Sequence, residues 1–436
     1  MSDRGSPSGP ARLRSFLRTR TALAAAASLI SLMSFAVLRH FQNMSMVDML
    51  VYRAEGAAVW NHQDLYAMRL PGWDLPATYP PFAAMLFVPS SWFDVTPLRA
   101  IVTLLNVALL GLLAYLAFKL VGWPRERHRL IGAILVAGFG VWLEPVYTTL
   151  QYGQVNLGIA CLVLYDFTRP DNHRYKGVGI GLAAGIKLVP GLFAVYLLLT
   201  GRIRAALVAG GTFLASALIG VVTLPGASWG YWTDYMWDTR RVGITELVDN
   251  QSLRGAICRL LSRHDPGMIA TVGTGLALLL GLSVAVVAGR SARVMRRAEA
   301  WGVICAALTS LLVSPISWTH HYVWCVPLLI LLLTEAVQEA GQPSGLRRLR
   351  WRPAFVAVLL AFLSYAMWLV PQAGGLGVPW NWQVPSSVYP VTSLAVLGAM
   401  AYRMWPVGRD MIRQWQLGRA ETAQEPARSA ALTGQR

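Results

Sequence analysis

MVDMLVYRAEGAAVWNHQDLYAMRLPGWDLPATYPP fills residues 46–81 and runs straight into FAAMLFVPSSWF, residues 82–93. The first stretch is polar and aromatic at once. Asp48, Arg53, Glu55, Asp64 and Asp74 are interleaved with Tyr52, Trp60, Tyr66, Trp73 and Tyr79. It follows an apolar run at 21–38 and precedes another at 98–120. The second stretch is apolar, but it is only about half of the ~20 residues that cross a bilayer. We read it as a short helix at the membrane surface. That reading decides the side of the membrane on which every later loop falls.

The rest of the chain supports a bilayer setting. Of 436 residues, 55% are hydrophobic and 14% charged, and the mean hydropathy is +0.47. A soluble chain carries about 25% charged residues. The expected fold class is an all-α polytopic membrane protein with one membrane domain, 21–405, between a basic tail (1–20) and a C-terminal tail (406–436). Residues 1–20 and about 418–436 read as disordered from their composition. Apolar runs near 21–38, 98–120, 130–146, 154–168, 176–188, 189–201, 203–224, 267–289, 300–314, 320–336, 353–370 and 389–405 suggest about twelve spans. Residues 21–38 follow a basic start, as in a signal peptide, but no clear small-x-small cleavage site precedes Arg39-His40-Phe41, so we expect a retained span. Cys161, Cys258, Cys305 and Cys325 show neither metal-site spacing nor a disulfide framework.

The net charge of +17 would also suit a nucleic-acid binder. The positive-inside rule explains it better. With 82–93 not spanning, both tails and the Arg-rich loops at 124–129, 169–176, 202–204, 290–297 and 347–352 fall on one side. With the adjoining span ends they hold roughly three quarters of the 38 Lys and Arg, but only about half of the 21 Asp and Glu. This predicts a multi-pass plasma-membrane protein with both termini in the cytoplasm. The polar segments 48–79, 144–156, the Lys187 turn, 229–263, 314–321 and 371–389 then share the outer face, in a large first loop with short interfacial helices and in the later loops. There is no P-loop, no GxGxxG and no DXD pair, which argues against a nucleotide-sugar donor.

Within that outer face, Asp48 lies among apolar residues, where desolvation raises a carboxyl pKa and suits a general base. An interfacial carboxylate paired with Arg53 is the plain alternative. Tyr79 sits in a rigid Thr-Tyr-Pro-Pro turn and offers a ring for a sugar face. Glu144 and the amides of Gln151–Asn156, Gln154 above all, suit a hydroxyl-rich ligand, or else helix capping. Lys187 is a lone cation between apolar runs, placed to face an anion or to snorkel. Asn250, Gln251 and Arg254, with Arg259 and Arg263 beyond, occupy a long outer loop, where an Arg can grip phosphate. Trp318, His320 and His321 form the sharpest cluster, and one His can face a site for phosphate contact or proton transfer. A metal site needs more ligands than this cluster offers, so none is expected.

These motifs carry a resemblance. VDMLVYRAEGAAV, DLYAMRLP, TYPPFAAMLFVP, EPVYTTLQYGQVN, GIKLVP, NQSLRGAICR and SPISWTHHYVW follow one another from about residue 47 to 325. In this order they resemble the actinobacterial polyprenyl-phosphate-mannose-dependent α-mannosyltransferases, glycosyltransferase family 87, of the GT-C membrane fold. The resemblance implies inverting transfer of mannose from a polyprenyl phosphate to a mannosylated glycolipid at the outer face. The acceptor would be a phosphatidylinositol mannoside or a lipomannan-like mannan, with a lean to α-1,2 branching. It implies Asp48 as base and His320 or His321, Lys187 and Arg254 as contacts to the donor phosphate. It implies Gln154 and Asn250 as sugar or acceptor contacts, and we add Tyr79, Glu144, Gln251 and Trp318 as candidates to line the sugar and acceptor sites. No cofactor and no nucleic acid are expected; the lipid-linked donor, the acceptor and membrane lipids are the partners. A sister transferase using a polyprenyl-phosphate pentose, or a transporter for a polyprenyl-linked sugar, are the competing readings.

Overall fold

The computed structural model describes residues 9–42, 44–338, 346–371 and 374–433. Except for one antiparallel ribbon, β1 (Arg69–Leu70) with β2 (Leu75–Pro76), these residues form helices and the turns between them. α1 (Gly9–Gln42) leads to α2 (Val47–Trp60) and, past the ribbon, to α3 (Pro81–Phe87), which continues as a 3-10 turn to Trp92. Residues 82–93 thus form a short helix and a 3-10 turn and not one long helix. α4 (Val95–Val121) and α5 (Glu126–Phe139) follow, and after a 77° bend the chain resumes as α6 (Glu144–Tyr152). Next come α7 (Asn156–Phe167), α8 (Val178–Ile186), α9 (Gly191–Leu199), α10 (Ile203–Thr223) and α11 (Pro225–Gly230). The remainder is α12 (Leu253–Leu261), α13 (Met268–Arg290), α14 (Ala298–Val313), α15 (Cys325–Val337), α16 (Trp351–Leu363), α17 (Gln383–Ser386) and α18 (Val388–Thr433).

Among the described residues, five helical segments are long and apolar enough to cross a membrane, or seven if each bent pair counts as one span. They are Thr19–Gln42, Val95–Val121, Ile203–Thr223, Met268–Arg290 and Thr319–Val337. The other expected spans are shorter pieces. α8 and α9 have 9 residues each and α7 has 12. At 1.5 Å per residue a 9-residue helix rises about 14 Å, half of the ~30 Å hydrocarbon core. Apolar composition marks such a run without showing where it breaks. Here it breaks at Lys187, which is extended, and before Pro190, whose ring disfavours helix at Val189. The tails also differ from expectation: residues 9–20 extend α1 and residues 418–433 extend α18. Residues 1–8 and 434–436 lie outside the described residues.

Lipid-facing character is visible on the long helices. Leu104, Leu207, Leu214, Leu218, Leu279 and Leu280 are exposed, which a membrane tolerates and water does not. Inside the bundle, α13 packs closely on α14 where Gly281 lies against Thr309. One end of the bundle is closed by ion pairs. Arg202 donates to both carboxylate oxygens of Glu299 at 2.6 and 2.8 Å, Lys176 pairs with Asp171 at 2.6 Å, and Arg297 with Glu335 at 3.3 Å. The broken ends of the short helices point away from this closure and meet around a cavity.

Candidate active site

α2 is docked onto the end of α6 by its first residues. Met46 is left-handed (φ 50°) and its N–H donates to the Gln151 carbonyl at 3.1 Å. Gly153 has φ 72°, and a Cβ there would stand 2.7 Å from that of Met49. Only glycine fits both demands. The joint puts Asp48 beside Gln154, whose amide N–H donates to the Asp48 carboxylate. The Gln154 carbonyl in turn accepts from Tyr52 at 2.7 Å and from Tyr79 at 3.4 Å. The two phenols lie 2.9 Å apart. Gln154 is thus oriented from behind and presents its donor to Asp48.

Lys187, His320 and His321 form another part of the lining, with Lys187 as its cation. Lys187 donates to Asn156 at 3.3 Å and to His321 Nε2 at 2.9 Å, so that ring accepts and is neutral. Its ammonium also lies 5.5 Å from the centre of the Tyr79 ring. His320 is buried, yet neither of its ring nitrogens has a partner among the described residues. Its ring stands edge-on to Tyr152, with centroids 5.4 Å apart. A buried polar group without a partner is costly, and these two nitrogens belong to a cavity-lining residue.

The cavity measures about 460 Å³. Of the residues singled out from sequence, Asp48, Tyr79, Gln154, Lys187, Trp318, His320 and His321 all line it. Burial pushes the Asp48 carboxyl up to about 6, against the opposing pull of the Gln154 amide and the Lys187 charge. Two turns along α2, Glu55 is fully buried and raised to about 8 by burial, so it holds its proton at neutral pH. It supports the cavity wall by accepting from the Thr78 N–H at 3.3 Å. The site therefore sets a near-neutral carboxylate against a lysine and two imidazoles. It can take a proton on one side and hold an anion on the other.

Four expected site residues serve the scaffold instead and do not line this cavity. Glu144 is buried where α6 begins and accepts from Tyr389 and, at 2.9 Å, from the Trp368 indole. Asn250 donates to the Thr245 and Pro315 carbonyls and accepts from the Ser252 and Ser317 N–H groups. Gln251 spans Val248, Ser386 and Tyr389. Arg254 pairs with Asp265 at 2.8 Å, away from the cavity. Glu144, Asn250 and Gln251 thus use on protein partners the polar capacity that suggested ligand binding, and Arg254 puts one guanidinium nitrogen on Asp265. Arg259 is buried in the same way, on Ser387 and the Leu247 and Asn250 carbonyls.

Several lining residues escaped the sequence reading, among them Tyr152, Asp249 and Arg241. Arg241 donates to the Tyr66 and Ala77 carbonyls and lies 4.4 Å over the Tyr235 ring. The Asp249 carboxyl is raised by burial. Asp249 adjoins the Asn-Gln-Ser triplet, and that adjacency was the one signal available for it.

A family model described as glycosyltransferase family 87 matches residues 77–315. A polyprenol-phosphate-mannose-dependent alpha-(1-2)-phosphatidylinositol pentamannoside mannosyltransferase of Mycobacterium tuberculosis is 34% identical over 369 residues, 81% of each chain. A polyprenol-phosphate-mannose-dependent alpha-(1-2)-phosphatidylinositol mannoside mannosyltransferase of the same species is 34% identical over 377 residues, 80% of this chain and 83% of its own. The phosphatidylinositol mannoside mannosyltransferase of Mycolicibacterium smegmatis is 31% identical over 340 residues, 74% of this chain and 75% of its own. No solved structure matches the chain.

Proposed function

The chain belongs to glycosyltransferase family 87, and on that footing we propose that it moves mannose from polyprenol phosphate mannose to a phosphatidylinositol mannoside, forming an α-(1-2) link. The observation that carries this reading is the pairing, in one cavity, of Asp48 with the Lys187, His320 and His321 wall. The relatives named above supply the donor and acceptor classes.

The chemistry is a single displacement with inversion. The acceptor hydroxyl oxygen attacks the anomeric carbon as Asp48 takes its proton, and the bond from that carbon to the phosphate oxygen breaks. Both electrons leave with the polyprenyl phosphate, whose growing charge Lys187 and the two imidazoles stabilise. A near-neutral base suits this step, because it is ionised at pH 7 and still basic enough to accept the proton. Gln154 orients the carboxylate, and Tyr79, Tyr152 and Trp318 offer faces for the sugars. In this reading Lys187 is the cation that neutralises the leaving phosphate and the imidazoles contribute hydrogen bonds, so a chelator is expected to leave the rate unchanged.

The polyprenyl chain lies between helices in the bilayer. The site faces the extracytoplasmic side of the plasma membrane, the first loop reaching from Asp48 to Tyr79 is its outer wall, and both termini are cytoplasmic. The asymmetry of basic loops supports this orientation, and the short helices around a recessed site suit a GT-C architecture. The deciding experiment uses purified protein, polyprenol phosphate mannose and short mannoside acceptors, with mass and linkage analysis of the product. A (1-2)-linked mannoside is expected, formed by the wild type and abolished in Asp48→Asn while donor binding persists. Turnover of a pentose donor alone, or full activity in Asp48→Asn, overturns the reading.

A further inference from the structure

A second cavity, of about 570 Å³, opens between the end of α1 and the start of α4. Its polar lining is Arg39, His40, Thr96, Arg99 and Thr103. Arg39 donates to Thr103 at 2.5 Å and Arg99 to the Ser45 carbonyl at 3.0 Å. These are neutral acceptors. Among the described residues neither guanidinium has a carboxylate within ion-pair distance. The Nε of Arg99 is buried and has no partner there. Arg39 also donates to Met46 Sδ, another neutral acceptor, and each guanidinium carries five N–H donors. Two cations held against one groove without a counter-charge repel each other unless an anion lies between them.

The location names the kind of anion. α1 and α4 both have membrane-spanning length, and the groove lies at the shared end of these two helices, where lipid headgroups sit. Ala36, Ala100 and Leu104 continue the lining onto the apolar helix faces. The groove also flanks the segment that carries the base. Met44 lines it and Arg99 grips Ser45, while Val47 and Asp48 line the catalytic cavity. A lipid phosphodiester held here would lie beside the segment that carries Asp48.

We propose that Arg39 and Arg99, with His40 at the rim, bind the phosphodiester of the phospholipid that anchors the mannoside acceptor. This rests on the acceptor class argued above. It adds a second phosphate site, separate from the one formed by Lys187, His320 and His321. Arg suits it because its planar fork meets two phosphate oxygens at once.

The test uses full-length protein in phosphatidylcholine vesicles with two acceptors: a phosphatidylinositol mannoside, and an alkyl mannoside with the same glycan and no phosphate. Arg39→Gln and Arg99→Gln are expected to raise KM for the phosphodiester acceptor roughly tenfold with kcat unchanged. KM for the alkyl mannoside stays within about twofold of wild type, which also shows that the variants fold. Equal losses on both acceptors, or no loss on either, overturn the proposal. So does a variant effect on both acceptors that follows the phosphatidylglycerol content of the vesicles, because a bulk lipid would then be the occupant. If the wild type mannosylates neither acceptor, the functional reading fails by itself. Binding of the phosphatidylinositol mannoside, followed by native mass spectrometry, still decides this site: it weakens in both variants or the proposal falls.

Discussion

Asp48 owes its basicity to where the chain puts it. Burial lifts the carboxyl to about 6, and the Gln154 amide and Lys187 hold it from going higher. A carboxyl works as a base only when ionised, so kcat/KM should fall as pH drops through about 6. Gln154→Leu removes a donor that favours the ionised form, so the acid limb should move to higher pH. Lys187→Met should shift it the same way and also lower kcat, by roughly 10²- to 10³-fold, as the leaving phosphate loses its cation. A pH–rate series on the three proteins measures both effects, and an unmoved limb in Gln154→Leu would sink this account of the base. Glu144 makes the contrast. Glu144→Ala strands the buried Tyr389 hydroxyl, at about 1–3 kcal/mol, and releases the indole of the exposed Trp368. Its Tm should fall while KM for the mannoside stays put; a rise in KM at unchanged Tm would return Glu144 to the sugar site. Sequence singled out Asp48, Lys187 and the histidine pair, which line one cavity, because a polar group beside apolar runs has few uses. It could not separate Gln154 from Asn250, since an amide that serves a ligand and one that ties two loops look alike until their partners are seen.

The helices show a sharper division between what the chain announces and what it conceals. α4, α10 and α13 are long apolar runs that lie where hydropathy puts them. The pieces α7, α8, α9 and α14 are apolar too, and hydropathy counts them as spans, because it weighs composition and is blind to a turn at Lys187 or Ser314. Breaking them is what makes the site. Half-length helices end inside the bundle, and their ends supply Asn156, Lys187 and Ser314 to polar surroundings; irregular backbone at membrane depth is tolerated where it lines a cavity. The joint between α2 and α6 is the most sensitive of these connections. Gly153→Ala places a Cβ at positive φ and against Met49, a strain of about 1–3 kcal/mol. It should reduce kcat more than stability, by drawing Gln154 off Asp48, and should raise the pKa of the acid limb as Gln154→Leu does. A normal limb with reduced Tm would assign Gly153 to folding alone.

On the scale of the whole molecule, composition announced a helical protein with several membrane-spanning segments, but counted about twelve spans where five to seven helical segments among the described residues are long enough. The proposed orientation can be read directly. The four native cysteines are buried, so labelling background is low. Trp380→Cys, at an 88% exposed position, should react with a membrane-impermeant maleimide in intact cells. Arg293→Cys, among the basic loops, should react only after permeabilisation, and the reverse pattern would invert the topology. The ion-paired end has a mechanical role in this arrangement. α9 and α14 are struts rooted together by the Arg202–Glu299 clasp, and their free tips lie beside Lys187 and Ser314 at the cavity. A small rotation at the root is magnified along each strut, so a residue in no contact with substrate sets the aim of the leaving-group cation. Glu299→Gln should slow kcat by roughly tenfold through misalignment. Adding Arg202→Ala should cost little more, because the clasp is already open.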